Sequence, residues 1–229
     1  MFKTQAPAMR LTLRVLAHLL RYPDATLRAH LAELSQALDA EAALPAKRLA
    51  ELQTLIRHLG AQDTLQTESD YVELFDRGRS TALHLFEHVH GDSRERGPAM
   101  IDLVQTYEQA GLYLGPEELP DHLPVLLEFA STQPPQPARE FLAETAHIVR
   151  QIFSALLKRE SPYASVLAAV LELAGEKAEA VPVPAEPPMD ESWAEPEVFG
   201  GCSSAGQARP DRPQAIRIVK NMSEMGARP

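Results

Sequence analysis

The strongest constraint on this chain is an apolar spacing of three and four that returns, segment after segment, between residues 10 and 174. Leu27, Leu31, Leu34 and Leu38 follow it, then Leu49, Leu52, Ile56 and Leu59. Met100, Leu103, Val104 and Tyr107 form a third stripe, and Phe141, Thr145, Ile148, Ile152 and Leu156 the longest, from about Pro137 to Arg159. A last stripe, Tyr163, Val166, Leu167, Val170 and Leu171, follows Ser161-Pro162. Such spacing lines one face of a 3.6-residue helix, whereas a half-buried strand needs alternation, which no segment sustains. Val and Ile are far outnumbered by Leu and Ala, which disfavours sheet further. Punctuation agrees: Asp24 after Pro23 reads as an N-cap, Pro45 as a helix start, and Gly60 and Gly111 as stops. The expected fold is all-α, a single bundle-like domain of about seven to nine helices over residues 1–174.

Beyond Gly175 the pattern stops. Eight of the 19 prolines fall in the last 55 residues, together with Gly200, Gly201 and Gly206. A segment of that composition buries too little apolar surface to offset its ordering entropy, so residues 175–229 read as an extended Pro/Gly-rich tail. Within it, Trp193, Val198 and Phe199 form one apolar cluster and Ile216, Ile218 and Val219 another, both costly to leave in water and suited to contact with a partner.

Charge narrows the partners. With 22 Lys and Arg against 32 Asp and Glu, the chain carries a formal charge of −10, and without a basic stripe it repels nucleic acid. The single cysteine, Cys202, excludes an internal disulfide framework and lies far from any base that would activate it. Near the N-terminus Arg10, Arg14, His18 and Arg21 interrupt the apolar residues, so neither a signal-peptide core nor a spanning helix is expected, and the cytoplasm is the expected compartment. Phosphate-loop and nucleophile-elbow patterns are missing.

The densest polar information lies between Tyr71 and Gly97. His84-Leu85-Phe86-Glu87-His88 fits the H-x-x-E-H pattern of inverted zinc metallopeptidases, in which two histidines on one helix face hold the metal and the glutamate is the general base. A catalytic zinc needs a third protein ligand, and Glu108, Glu128 and Glu172 stand in no recognisable motif, so a polar helix face is the preferred reading and a zinc metallohydrolase the alternative. His90 falls just after the pattern, and around it Asp76, Arg77, Arg79, Asp92, Arg94, Glu95 and Arg96 make either a solvated loop or an ion network at a helix crossing. Farther on, Asp121 suits an N-cap before the apolar run from Val125 to Phe129, with His122 in the first turn. An adjacent Asp and His on an inter-helix loop could instead hold a ligand or a peptide.

The run from Tyr71-Val72-Glu73-Leu74-Phe75-Asp76-Arg77-Gly78-Arg79 through Leu83–Arg94 to Gly97 resembles the signature of NarJ-type respiratory nitrate reductase assembly chaperones. Leu19–Asp24, Leu119–Pro124 and Ser161–Ala164 resemble the same family, so the likeness covers most of residues 10–175. Pro120-Asp121-His122 resembles the E-P-x-D-H loop of the wider TorD and DmsD group of redox-enzyme maturation chaperones, with Leu119 in place of the first proline. The resemblance implies an all-helical cytoplasmic chaperone that is no enzyme. It implies binding to the N-terminal segment of the apo catalytic (alpha) subunit of membrane-bound nitrate reductase. The client would be held for insertion of molybdopterin-guanine dinucleotide before membrane docking, with no cofactor bound permanently and cofactor-delivery proteins as further partners. On that basis Tyr71, Phe75, Asp76, Arg77, Arg79, His84, Glu87, His88, His90, Asp92, Arg94, Asp121 and His122 are expected to serve client binding or maturation, none of them in catalysis or metal ligation. The physics is compatible: a receptor for a basic amphipathic helix needs an apolar cleft with an acidic rim, and the net charge has the right sign.

Overall fold

The computed structural model describes residues 8–91 and 93–183. Asp92 and the expected tail residues Trp193, Val198, Phe199, Cys202, Ile216, Ile218 and Val219 lie outside the described residues. The first helix, α1 (Arg10–Leu19), turns Leu13, Leu16, Ala17 and Leu19 inward. No acidic residue of its own lies in its first turn, and the Leu11 and Thr12 amides donate instead to the Glu41 carboxylate at 3.0 and 2.6 Å. Asp24 caps α2 (Ala25–Ala29) as expected, its Oδ1 accepting from the Leu27 amide at 2.8 Å. The stripe through Leu38 does not run on as one helix. The His30 ring bonds the Thr26 carbonyl at 2.7 Å, its amide turns to Leu27, and α3 (Leu31–Glu41) starts afresh. Pro45 opens α4 (Ala46–Ala61), which continues through Gly60 by one residue before Asp63 caps α5 (Thr64–Tyr71).

At Tyr71 the helix widens into a π turn, Val72–Asp76, closed by the Arg77 amide donating to the Val72 carbonyl at 3.1 Å. A 3₁₀ turn, Arg79–Thr81, leads to the short α6 (Leu85–His90) and then α7 (Arg96–Gln109). Gly111, at φ +80°, turns the chain beyond α7, as a glycine there allows. The remaining helices are α8 (Leu123–Thr132), α9 (Pro135–Lys158) and α10 (Ala164–Ala174). Ten α-helices and no strand are present among the described residues, so the all-α expectation holds, the tenth helix coming from the break at His30.

The core is organised around α10. Ten of its 11 residues are buried, and it packs on α9, α4 and α1; a helix apolar all round belongs inside. Its one partly exposed residue, Glu172, receives Arg48 of α4 at 2.9 Å. Beyond Gly175, residues 176–183 stay against α9: Glu176 pairs with Arg150 at 2.7 Å and the Val181 amide donates to Ser154 Oγ at 2.9 Å. No helix among the described residues is long and apolar enough to cross a membrane.

Candidate functional site

The polar segment divides between two supports. The first is aromatic. Tyr71, at the start of the π turn, is buried and donates its hydroxyl to the Leu20 carbonyl at 2.8 Å. Its ring meets Tyr22 at 5.7 Å, Phe75 at 4.8 Å and Tyr163 at 6.3 Å, and Phe75 meets Tyr163 at 5.1 Å. The i, i+4 pair Tyr71 and Phe75 thereby joins the segments Leu19–Asp24 and Ser161–Ala164. Desolvation raises the Tyr71 and Tyr163 phenols above their ordinary range, so both stay neutral, Tyr71 as a donor to Leu20. Tyr71 and Phe75 are therefore internal, whereas Asp76 and Arg77 at the end of the π turn and Arg79 at the start of the 3₁₀ turn are exposed. Arg77 pairs with Glu73 at 3.0 Å on an open surface. Gly78 is buried, and a Cβ there would sit 2.7 Å from the Leu74 carbonyl oxygen and against Thr81 Oγ1, which itself donates to that carbonyl.

The second support centres on Asp121, whose carboxylate is fully buried. Asp121 does not cap the helix that follows it, contrary to the local reading. That helix, α8, starts at Leu123 with His122 as an N-cap that makes no side-chain bond. The Asp121 carboxylate instead turns to the start of α6: Oδ2 accepts from the Phe86 amide at 3.2 Å, and Oδ1 from His84 Nδ1 at 3.4 Å. Backbone bonds zip the two segments antiparallel, with the Leu85 amide on the Asp121 carbonyl at 3.0 Å and the Leu123 amide on the Leu83 carbonyl at 2.9 Å. Arg96, at the first residue of α7, lies 3.7 Å from Asp121 and 3.6 Å from Glu87. The buried anion is thus met by an amide, an imidazole and a guanidinium, as burial of charge requires.

Two histidines are driven apart electrostatically. The His84 and His122 rings stack at 4.8 Å. The hydrogen bond to Asp121 raises the His84 pKa despite partial burial. His122 is pushed down to about 4, first by desolvation and then by the neighbouring His84 and Arg21. Near neutrality His122 is therefore neutral and His84 is the ring biased toward its cation.

The zinc alternative fails on this geometry. His84 lies before α6 in extended conformation, so it and His88 are not i and i+4 on one helix face. His84 turns to Asp121, while His88 Nε2 donates to the Ala82 carbonyl at 2.8 Å. Among the described residues no group of three or more His, Cys, Asp or Glu is arranged to hold a metal ion. His90 packs edge-on against Phe86 at 5.5 Å, Arg94 is exposed, and Asp92 lies outside the described residues. The site's chemistry is positional. It fixes α6 against the start of α8 and the first turn of α7.

Three participants escaped the list of expected site residues. Arg96 is one of many charges in its segment, and only the fold selects it. Arg21 reaches Glu128 of α8 at 2.8 Å and Glu118 of the preceding loop at 3.3 Å. Tyr107, fully buried, donates its hydroxyl to the Pro120 carbonyl at 2.8 Å and so fixes the residue before Asp121. A tyrosine on an otherwise aliphatic stripe was the available signal, since a buried phenol needs an acceptor.

Comparison with known proteins covers the same ground. A model of the nitrate reductase delta subunit family matches residues 20–169. The chain is 42% identical over 205 residues, 90% of this chain and 80% of the other, to the nitrate reductase molybdenum cofactor assembly chaperone NarJ of Escherichia coli K12. It is 33% identical to the corresponding Bacillus subtilis protein, over 71% of this chain and 87% of that one. Among solved structures, a redox enzyme maturation protein from Archaeoglobus fulgidus shares the fold with a TM-score of 0.51 at 21% identity, covering 77% of this chain and 98% of that one.

Proposed function

We propose a function from one premise: this chain belongs to the nitrate reductase delta subunit family. It acts as an assembly chaperone for molybdenum cofactor insertion into nitrate reductase, and not as an enzyme. In finer terms, it binds the N-terminal segment of the apo catalytic subunit in the cytoplasm. It holds that subunit while molybdopterin-guanine dinucleotide is inserted, before docking to the membrane, and keeps no cofactor of its own. The observation that carries the reading is the reach of the likeness, which runs from residue 20 to residue 169 and takes in both supports. In support, segments far apart in sequence meet through Tyr71 and through Asp121, as expected of a scaffold that must present one surface accurately.

The reading is tested by co-purification. Tagged chain is expected to retain the apo catalytic subunit and to lose it when the subunit's N-terminal segment is deleted. Cells lacking the chain are expected to accumulate catalytic subunit without molybdenum. Retention of the truncated subunit equal to that of the full one would overturn the N-terminal assignment, and full molybdenum content without the chain would overturn the role.

A further inference from the structure

Between α6, α7 and α9 runs a groove of about 540 Å³ whose makeup sets it apart. Phe86, Leu103 and Phe141, each partly buried and packed on the core, form its floor. Its charged lining is acidic throughout, with Asp102 on α7 and Glu140 and Glu144 one turn apart on α9. Four other surface grooves each contain an arginine. Asp121 serves this groove from behind, since it holds the first turn of α6, which carries Phe86.

Beyond the described residues, the chain itself carries a segment of complementary chemistry. From Pro184 to Gly206 every charge is negative: Glu186, Asp190, Glu191, Glu195 and Glu197. The sign then reverses. Arg209, Arg212, Arg217 and Lys220 follow, against Asp211 alone before Glu224. Ala215, Ile218, Val219 and Met222 stand at i, i+3, i+4 and i+7, the spacing of one helix face. Arg217 and Lys220 fall on the opposite arc, from which long basic side chains reach back to a rim.

Reach favours a contact within one chain. The Val181 amide is held at Ser154 on α9, and Glu144 and Glu140 precede Ser154 on that helix by about 15 and 21 Å. A coil of roughly 30 residues, the length between Val183 and Gln214, spans about 30 Å root-mean-square. Span and distance match, which puts the effective concentration of the tethered segment near ~1 mM at the groove.

Resting on the chaperone reading for its role, we propose that residues 214–225 fill this acidic groove as a tethered stand-in for a basic client segment and leave it when a client displaces them. At that concentration a contact of only ~0.1 mM Kd as a free peptide keeps the groove about nine-tenths filled. The same occupancy raises the apparent Kd of a competitor about tenfold, so weakly binding basic segments are turned away. Between clients, the apolar floor is covered by the chain's own residues instead of water.

The test places a photo-crosslinking residue at Thr106, on the groove lining, in the full chain, with Thr54 of another groove as the control. Mass spectrometry is expected to find a crosslink within one chain from position 106 to the stretch 214–225, and none from position 54. Arg217→Glu with Lys220→Glu is expected to cut its yield ~5-fold or more, and adding Glu140→Lys with Glu144→Lys to restore it. The tail variant is also expected to bind a fluorescein-labelled peptide of the catalytic subunit's N-terminal segment about tenfold more tightly than the unmodified chain. Equal crosslinking from position 54, or crosslinks that join two chains, would overturn the contact. Failure of the fourfold reversal to restore the crosslink would overturn the charge pairing, and an unchanged peptide Kd would overturn the stand-in role. No peptide binding by either chain would remove the client reading and the stand-in role with it, whereas the crosslink within the chain stands or falls by itself.

Discussion

At the scale of single residues, Asp121 and His122 are neighbours with opposite consequences. Asp121→Ala removes an acceptor from the Phe86 amide and leaves His84 and Arg96 facing an apolar gap. A loss of ~1–3 kcal/mol in urea unfolding is expected, with weaker peptide binding in the variant that remains folded. Asp121→Asn keeps an acceptor but not the charge, so the His84 pKa, followed by NMR, is expected to fall. For His122 the sign runs the other way. Its folded pKa of about 4 lies below the ordinary 6.5, so between those values the unfolded chain binds the proton more readily. Its contribution to stability is therefore complete above pH 6.5 and is lost as pH falls toward 4. Urea midpoints for His122→Asn are expected to fall less steeply than those of the unmodified chain over that window; an unchanged slope would place the acid sensitivity elsewhere. His84, with its pKa raised, contributes in the opposite sense, losing its stabilisation as pH rises through the folded value.

At the scale of elements, helix positions were largely legible and their mutual service was not. The stripes ending at Leu59, Tyr107 and Leu156 reappear as α4, α7 and α9, because three-four spacing is a local property of the chain. Asp121 was legible as a helix cap, but of the wrong helix. A cap is read from the residues that follow it, whereas the α6 amide it accepts from comes 35 positions earlier. The π turn escaped for a related reason: only the packing of Tyr71 and Phe75 against Tyr163 reveals why five residues fill that turn. Two substitutions in this element separate its inner and outer sides. Gly78→Ala forces a methyl group onto the Leu74 carbonyl and Thr81, and a loss of ~1–3 kcal/mol is expected in chemical unfolding. Arg77→Ala breaks only an exposed pair with Glu73, so stability is expected to move by less than about 0.5 kcal/mol. Nitrate reductase activity in cells is nonetheless expected to drop with Arg77→Ala. Unchanged activity would confine Arg77 to solvation of the turn.

At the scale of the whole molecule, the chain is closed by contacts between its distant parts. Tyr71 bonds Leu20 across 51 positions, Arg21 meets Glu118 across 97, and Arg48 bonds Glu172 across 124. A chain cut after Val183 keeps all of these and is expected to unfold cooperatively near the midpoint of the full chain. One cut before Ser161 lacks α10 and is expected to show no cooperative transition at all. Leu167→Ala, at a position with no exposure, is the milder version, with an expected cost of ~2–5 kcal/mol. The central position of α10 has a further consequence during synthesis. The helix on which α4 and α9 pack is the last of the ten to leave the ribosome, so the faces they turn to it have no lasting cover until residue 174 has emerged. Nascent chains of this protein are therefore expected to carry those apolar faces uncovered until α10 arrives, themselves in need of a holdase over that interval.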